Sequence, residues 1–195
     1  MTPARAADGE EALRGRILAA TRRCLARYGA AKTGIADVAS EAGVSRQSVY
    51  NHFETRSHLF ASALAAAGDE FADRVAAFLA DRDGEPLDLV VDAVVYVARE
   101  LPQDPVLGAV ATLGRERGAF LLDLGRSMTR EFSRRALAPV RARCDTARNQ
   151  DFDVLADLML RITLSLFVVP LPGTPSERKL RSLVTRWLTA SEWVK

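Results

Sequence analysis

Cysteine, histidine and aromatic residues are scarce in this chain of 195 residues, which has two cysteines, two histidines and only 7% Phe, Trp and Tyr. Cys24 and Cys144 sit in helical contexts with no metal-ligand spacing, so both read as reduced thiols and no disulfide framework is expected. His52 and His58 lie six apart across a helix break with no cysteine or carboxylate constellation nearby, which does not suit a metal pair. There is no Gly-rich phosphate loop, no nucleophile elbow and no carboxylate pair with a reason to be catalytic. No enzymatic activity, no cofactor and no metal are therefore expected. Apolar stretches of about 18 residues are also missing, and MTPARAADGEEALRG at the start has no segment of signal-peptide type. The expectation is a cytoplasmic protein with no membrane partner. No run alternates strictly between apolar and polar residues, while Ala, Leu and Arg dominate, so an all-α fold is expected.

Net charge is small as well. A formal +2 does not by itself argue for a polyanionic partner, although its distribution leans that way. Residues 1–60 hold 9 Lys and Arg against 6 Asp and Glu, and the remainder holds 18 against 19. The early cluster Arg14, Arg16, Arg22, Arg23 and Arg27 extends a basic footprint, although a solvated helix face explains most of it equally well.

With 48% hydrophobic residues the chain can bury a substantial core. Its most organised stretch is Ile35 to Phe53, IADVASEAGVSRQSVYNHF. Ile35, Val38, Ala39 and Ala42 recur at helical spacing, with Asp37 and Glu41 on the opposite side. Gly43 stops that helix, since a left-handed cap disfavours any Cβ by about 1 kcal/mol. Ser45 is placed to cap a second helix, its hydroxyl accepting from Gln47 or Ser48. Only Val49 and Phe53 are apolar there, leaving Arg46, Gln47, Ser48, Tyr50, Asn51 and His52 outward. Such a helix fits the major groove of DNA, and Arg, Gln, Asn and Ser can match the donors and acceptors of base edges. The Thr55 cap, the Arg56 guanidinium and free backbone N–H groups at the next helix are positioned to hold a phosphate. The bland alternative is a helical hairpin with a solvated face.

The pattern AxxAGVSxxxVYxHFxxR, from Ala39 to Arg56, resembles the DNA-binding signature of the TetR family of bacterial transcriptional regulators. It covers the first third of the chain strongly; the rest is similar only in being all-helical and of suitable length. The resemblance implies that Ser45, Arg46, Gln47, Ser48, Tyr50, Asn51 and His52 form the recognition segment, with Tyr50 on a phosphate. Gly34 stands where a Thr commonly caps the second helix, which leaves that role and its phosphate contact to the Gly34 backbone or moves them to Thr33. Arg56 stands where Lys is usual, keeping the charge but replacing a point cation with a planar fork.

Along the chain, residues 1–9 carry Pro3 and no periodicity and read as a disordered arm. Residues 10–56 read as the helix-turn-helix head, whose first helix runs from Glu10 to Tyr28 and ends at Gly29. Residues 57–195 read as an effector-binding and dimerisation domain, beginning with a helix from Ser57 to about Leu79 that links it to the head. Leu87 to Glu100 is apolar on nearly every side and is read as a buried helix, with a strand as the competing assignment. A short helix from Val106 to about Leu113 and a long one from Arg115 to Arg143, its end kinked by Pro139, follow. Two last helices span Asp151 to about Val169 and Thr174 or Ser176 to about Ala190.

The resemblance further implies a homodimer on a palindromic operator of double-stranded DNA, and a small apolar effector that releases a repressor. Phe152, Leu155, Met159, Ile162 and Leu166, with Leu180, Leu183, Val184 and Trp187, are the expected interface. Phe71, Tyr96, Arg99, Thr112, Arg115, Phe120, Leu124, Met128 and Ile162 are the expected effector lining, chosen by helix position. The alternatives are an activator or ligand-independent regulator of the same fold, or a helical interaction protein that no longer binds DNA.

Overall fold

The computed structural model describes residues 3–108, 131–144, 149–168 and 176–190, and among these there is no strand. Two compact units divide the chain: Met1–Ala67 with Pro105–Val110, and Gly68–Asp104 with Ala111–Lys195.

In the first unit, α1 spans Pro3–Lys32. The arm expected over residues 1–9 is thus helical from Pro3 onward, because proline is pre-set for the first helical turn and the alanines that follow favour its continuation. At Gly29 the backbone leaves helical geometry with φ 74° and ψ 164°, at the point where the sequence predicts the end of the helix. One further turn closes α1. Helices α2 (Ile35–Ala42) and α3 (Arg46–His52) follow, and α4 (Arg56–Ala80) begins three residues after Phe53. The core of this unit is Ile17, Ala20, Cys24 and Leu25 from α1, Ile35, Val38 and Ala39 from α2, Val49 and Phe53, and Leu59, Phe60, Ala63 and Leu64 from α4. Because those α4 residues belong to the head's core, the boundary expected after Arg56 falls inside α4, between Ala67 and Gly68.

The second unit is organised on α5 (Pro86–Glu100), with Pro86 in its first turn and Leu89, Val90, Val91, Ala93, Val94, Val95 and Val97 all buried. Burying a Val or Leu side chain contributes about 1.5 to 3 kcal/mol, far more than the few tenths by which valine disfavours a helix. That balance makes the run a helix rather than a strand. A 3-10 turn at Leu101–Gln103 ends it. Residues 131–136 are helical, then Leu137 departs with φ −93° and ψ 9°, and α6 covers Ala138–Arg141. The expected continuous helix to Arg143 is therefore broken at Leu137 rather than kinked near its end. Pro139 has no N–H for the Arg135 carbonyl, so the chain starts a new helix with the proline in its first turn, where none is required.

Helices α7 (Asn149–Val168) and α8 (Glu177–Ala190) both pack on α5. Asp92 of α5, little exposed, faces two guanidiniums: Arg181 of α8 and, at 3.8 Å, Arg82 beyond α4. Arg143 donates to the Arg82 carbonyl at 2.7 Å, and Arg135 grips the Asp73 carboxylate with two bonds of 2.5 and 2.7 Å.

Candidate nucleic-acid interface

The turn between α2 and α3 is a Schellman motif. Gly43 lies in the left-handed region at φ 66° and ψ 40°, with its N–H donating to the Ser40 carbonyl and that of Val44 to the Ala39 carbonyl. Ser45 then caps α3, its Oγ accepting from the Ser48 N–H at 3.0 Å. Val49 and Phe53 are fully buried, which fixes the rotation of the short helix about its own axis. Arg46, Gln47, Tyr50 and Asn51 are consequently exposed, Tyr50 to 48%, while Ser48 and His52 are half-buried. Gln47 Nε2 donates to Asn51 Oδ1 at 3.0 Å, one helical turn away. The predicted recognition segment thus lies on α3 and its N-cap Ser45, with Gln47 and Asn51 on the side opposite the buried Val49 and Arg46 and Tyr50 exposed beside them.

Phe53 is held from two sides. The Arg14 guanidinium stands 5.2 Å from its ring centroid and the His58 ring meets it edge-on at 5.7 Å. Arg14, counted from sequence among the basic footprint, therefore also braces the end of α3. Arg23 Nε pairs with Glu41 at 2.6 Å, linking α1 to α2. These two residues, with Cys24, Ala26, Arg27 and Tyr28, line an open groove of about 460 Å³.

The start of α2 departs from the expectation. Gly34 is its N-cap, with no side chain to accept a bond, yet Asp37 Oδ2 accepts from the Gly34 N–H at 2.8 Å. That is the reverse half of a capping box, and the spacing of Asp37 three residues on is its only trace in the sequence. Thr33, expected to take over a phosphate contact, is corrected here: it is only 1% exposed. Its hydroxyl donates inward, shared between the Gly29 carbonyl at 2.9 Å and the Cys24 carbonyl at 3.1 Å. It thereby ties the turn after Gly29 back onto α1.

Arg56 closes the same corner. Its Nε donates to the Thr33 carbonyl at 3.0 Å, Nη2 donates to the Ala30 carbonyl, and its guanidinium lies 4.5 Å from the Phe60 ring centroid. Two of its five N–H donors are used in this way, and the side chain remains exposed. Thr55 caps α4 as expected, accepting from the His58 N–H at 3.0 Å.

In the second unit, Phe71 lies 6.3 Å from Tyr96 and 6.1 Å from Phe132, and Phe78 lies 4.4 Å from Tyr96, all between ring centroids. Phe71 and Ile162 are buried and Tyr96 is half-buried. Arg99, expected in the effector lining, is instead exposed and paired with Glu177, so its charge stays at the surface where it is solvated. Thr112, Arg115, Phe120, Leu124 and Met128 lie outside the described residues. Two buried hydroxyls that sequence reasoning missed, Ser133 and Thr163, have no hydrogen-bond partner among the described residues.

The expected interface residues divide. Phe152, Met159, Ile162, Leu180 and Val184 are buried within the chain itself, a correction, because α7 and α8 turn those sides to their own core. Leu155, Leu166 and Leu183 are half-buried, and Trp187 is 48% exposed, as is Val154 to a similar degree.

A capped helix, a left-handed glycine corner and a second short helix with a polar outer side, braced by α1 and α4, define a helix-turn-helix head. Residues 17–63 match the model of the bacterial regulatory proteins of the tetR family. An uncharacterized HTH-type transcriptional regulator of Mycobacterium bovis is 33% identical over 98 residues, a match covering 49% of this chain and 48% of that protein. The match thus spans about half the length of that relative. In fold, the chain is similar to a TetR transcriptional regulator from Rhodococcus sp. RHA1, with 21% identity, a TM-score of 0.61 and 93% and 96% of the two chains covered. It is also similar to the TetR family repressor AlkX from Dietzia sp., with 20% identity, a TM-score of 0.63 and 91% and 95% covered. The tetR-type match is thus carried by the head, residues 17–63, and the likeness to these solved structures shows a shared all-helical fold.

Proposed function

We propose that this chain is a DNA-binding transcriptional regulator that reads a palindromic operator as a homodimer, with α3 of each copy in the major groove. The observation that carries this reading is the exposure of Arg46, Gln47, Tyr50 and Asn51 on a helix whose Val49 and Phe53 are fully buried. A helix held so firmly by its inner side presents its outer side with little loss of freedom on binding. Arg46, Gln47 and Asn51 set the base preference; Tyr50 and the unused donors of Arg56 address phosphates. Selection of binding sequences from a random DNA pool with purified protein tests it. An enriched palindrome is expected, together with uniform weakening by Tyr50→Phe or Arg56→Ala and an altered preference with Arg46→Ala. No enrichment at low salt would sink the reading.

The pairing surface in this proposal is the outward side of α7 and α8, with Val154, Leu155, Leu183 and Trp187. The regulator acts as a repressor, released by a small lipophilic effector held in the second unit. Support for the effector comes from the ring cluster of Phe71, Tyr96 and Phe132 and from the unpartnered hydroxyls of Ser133 and Thr163. Buried hydroxyls without partners are costly, and a ligand able to hydrogen-bond them offsets that cost. The effector then weakens DNA binding by its differential affinity for two states of the dimer, and DNA weakens the effector equally.

A further inference from the structure

We infer that Asn51 reads an adenine in each operator half-site and that Gln47 is the positioning residue that fixes the orientation of its carboxamide. This rests on the DNA-binding reading above. Gln47 and Asn51 lie four apart on α3, both exposed, and the Gln47 Nε2 donates to Asn51 Oδ1 at 3.0 Å. Among the described residues no other hydrogen bond engages either side chain, so the pair answers only to itself until something docks on α3.

A free carboxamide has two orientations of similar energy, related by a half-turn that exchanges its oxygen and nitrogen. Donation from Gln47 selects one of them, with the Asn51 oxygen held towards residue 47. The bond leaves a second lone pair on Oδ1 and both hydrogens on Nδ2. Adenine presents in the major groove an N6 donor beside an N7 acceptor, which accepts one bond from Asn51 Nδ2 and gives one to Oδ1. Guanine places O6 at the position of N6, so that Oδ1 would face another acceptor. Thymine offers only an acceptor and a methyl group, and cytosine only a donor. The held amide is therefore complementary to adenine on both of its atoms, and to the other bases on one at most. Because the two side chains restrict one another before DNA arrives, less rotamer freedom is lost on binding.

Binding-site selection with the full chain, in parallel for the wild type, Asn51→Ala, Gln47→Met and Gln47→Glu, tests the inference. In the wild-type palindrome, Asn51→Ala is expected to cut the preference for one A·T pair per half-site about 5- to 150-fold, the discrimination of a bidentate pair. Gln47→Met keeps the length of the side chain and removes the donor. It is expected to relax that same base pair while leaving the other positions and the melting temperature unchanged. Gln47→Glu can only accept, so it draws Asn51 Nδ2 towards itself, turns the amide over and abolishes the adenine preference there. A Gln47→Met variant that relaxes a different base pair would show that Gln47 reads a base on its own account and would overturn the inference. So would an Asn51→Ala variant acting at a pair other than A·T. If the wild type enriches no sequence, the DNA-binding reading fails and takes this inference with it. A wild-type palindrome with the variants misplaced removes the inference alone.

Discussion

Burial pushes the Cys24 thiol above its ordinary pKa, and the nearby Glu41 and Asp37 carboxylates push the same way, against Arg23 and Arg27. The folded head thus favours the neutral thiol. The resulting stability is fully present below the pKa of the thiol in the unfolded chain, about 8.5, and is lost as pH rises through the raised folded value. Melting temperature should therefore fall more steeply between about pH 8 and pH 10 in the wild type than in Cys24→Ala, followed by circular dichroism. Equal slopes would mean that the thiol titrates alike in both states. Arg56 shows at the same scale why Arg and Lys differ: one fork reaches two carbonyls and covers a ring, where an ammonium supplies a point charge.

At the scale of the helix, two glycines at opposite ends of α2 should respond to substitution with opposite sign. Gly43 sits at φ 66°, with open space where a Cβ would stand, so Gly43→Ala costs only the backbone penalty, about 1 to 2 kcal/mol. Gly34 has φ −111°, which any residue adopts, and lacks a side-chain cap; Gly34→Ser should stabilise the head by a few tenths of a kcal/mol. Chemical denaturation of the two variants checks both signs, and destabilisation by Gly34→Ser would contradict the capping argument. These two glycines also mark how far the sequence could be read. The Gly43 corner and the Ser45 cap depend on bonds spanning three to five residues, so their pattern is visible in the chain. The burial of Thr33 and the ties of Arg56, made to carbonyls up to 26 residues away, depend on the path of the main chain after Gly29, which no side-chain pattern encodes. In α7, apolar residues occupy most sides, with Leu155, Leu158, Leu160 and Leu166 all half-buried, so periodicity did not decide which stripe faces the core. The break at Leu137 was misplaced because the missing N–H of Pro139 acts four residues earlier in the chain.

For the whole molecule, the proposed pairing through α7 and α8 depends on the residues that the single chain leaves outside. Trp187→Arg should leave the protein monomeric at micromolar concentration and weaken operator binding, because each half-site then binds a separate head. Light scattering reads the first effect, and a wild type that is itself monomeric would remove the proposed interface. The same tryptophan supplies an optical consequence. An indole 48% exposed in the lone chain emits as a solvated ring. Enclosure by a second chain would move that emission to shorter wavelength. Only one other tryptophan, Trp193, shares the spectrum, so in a Trp193→Phe background the colour of the fluorescence would track association across a dilution series without any attached label.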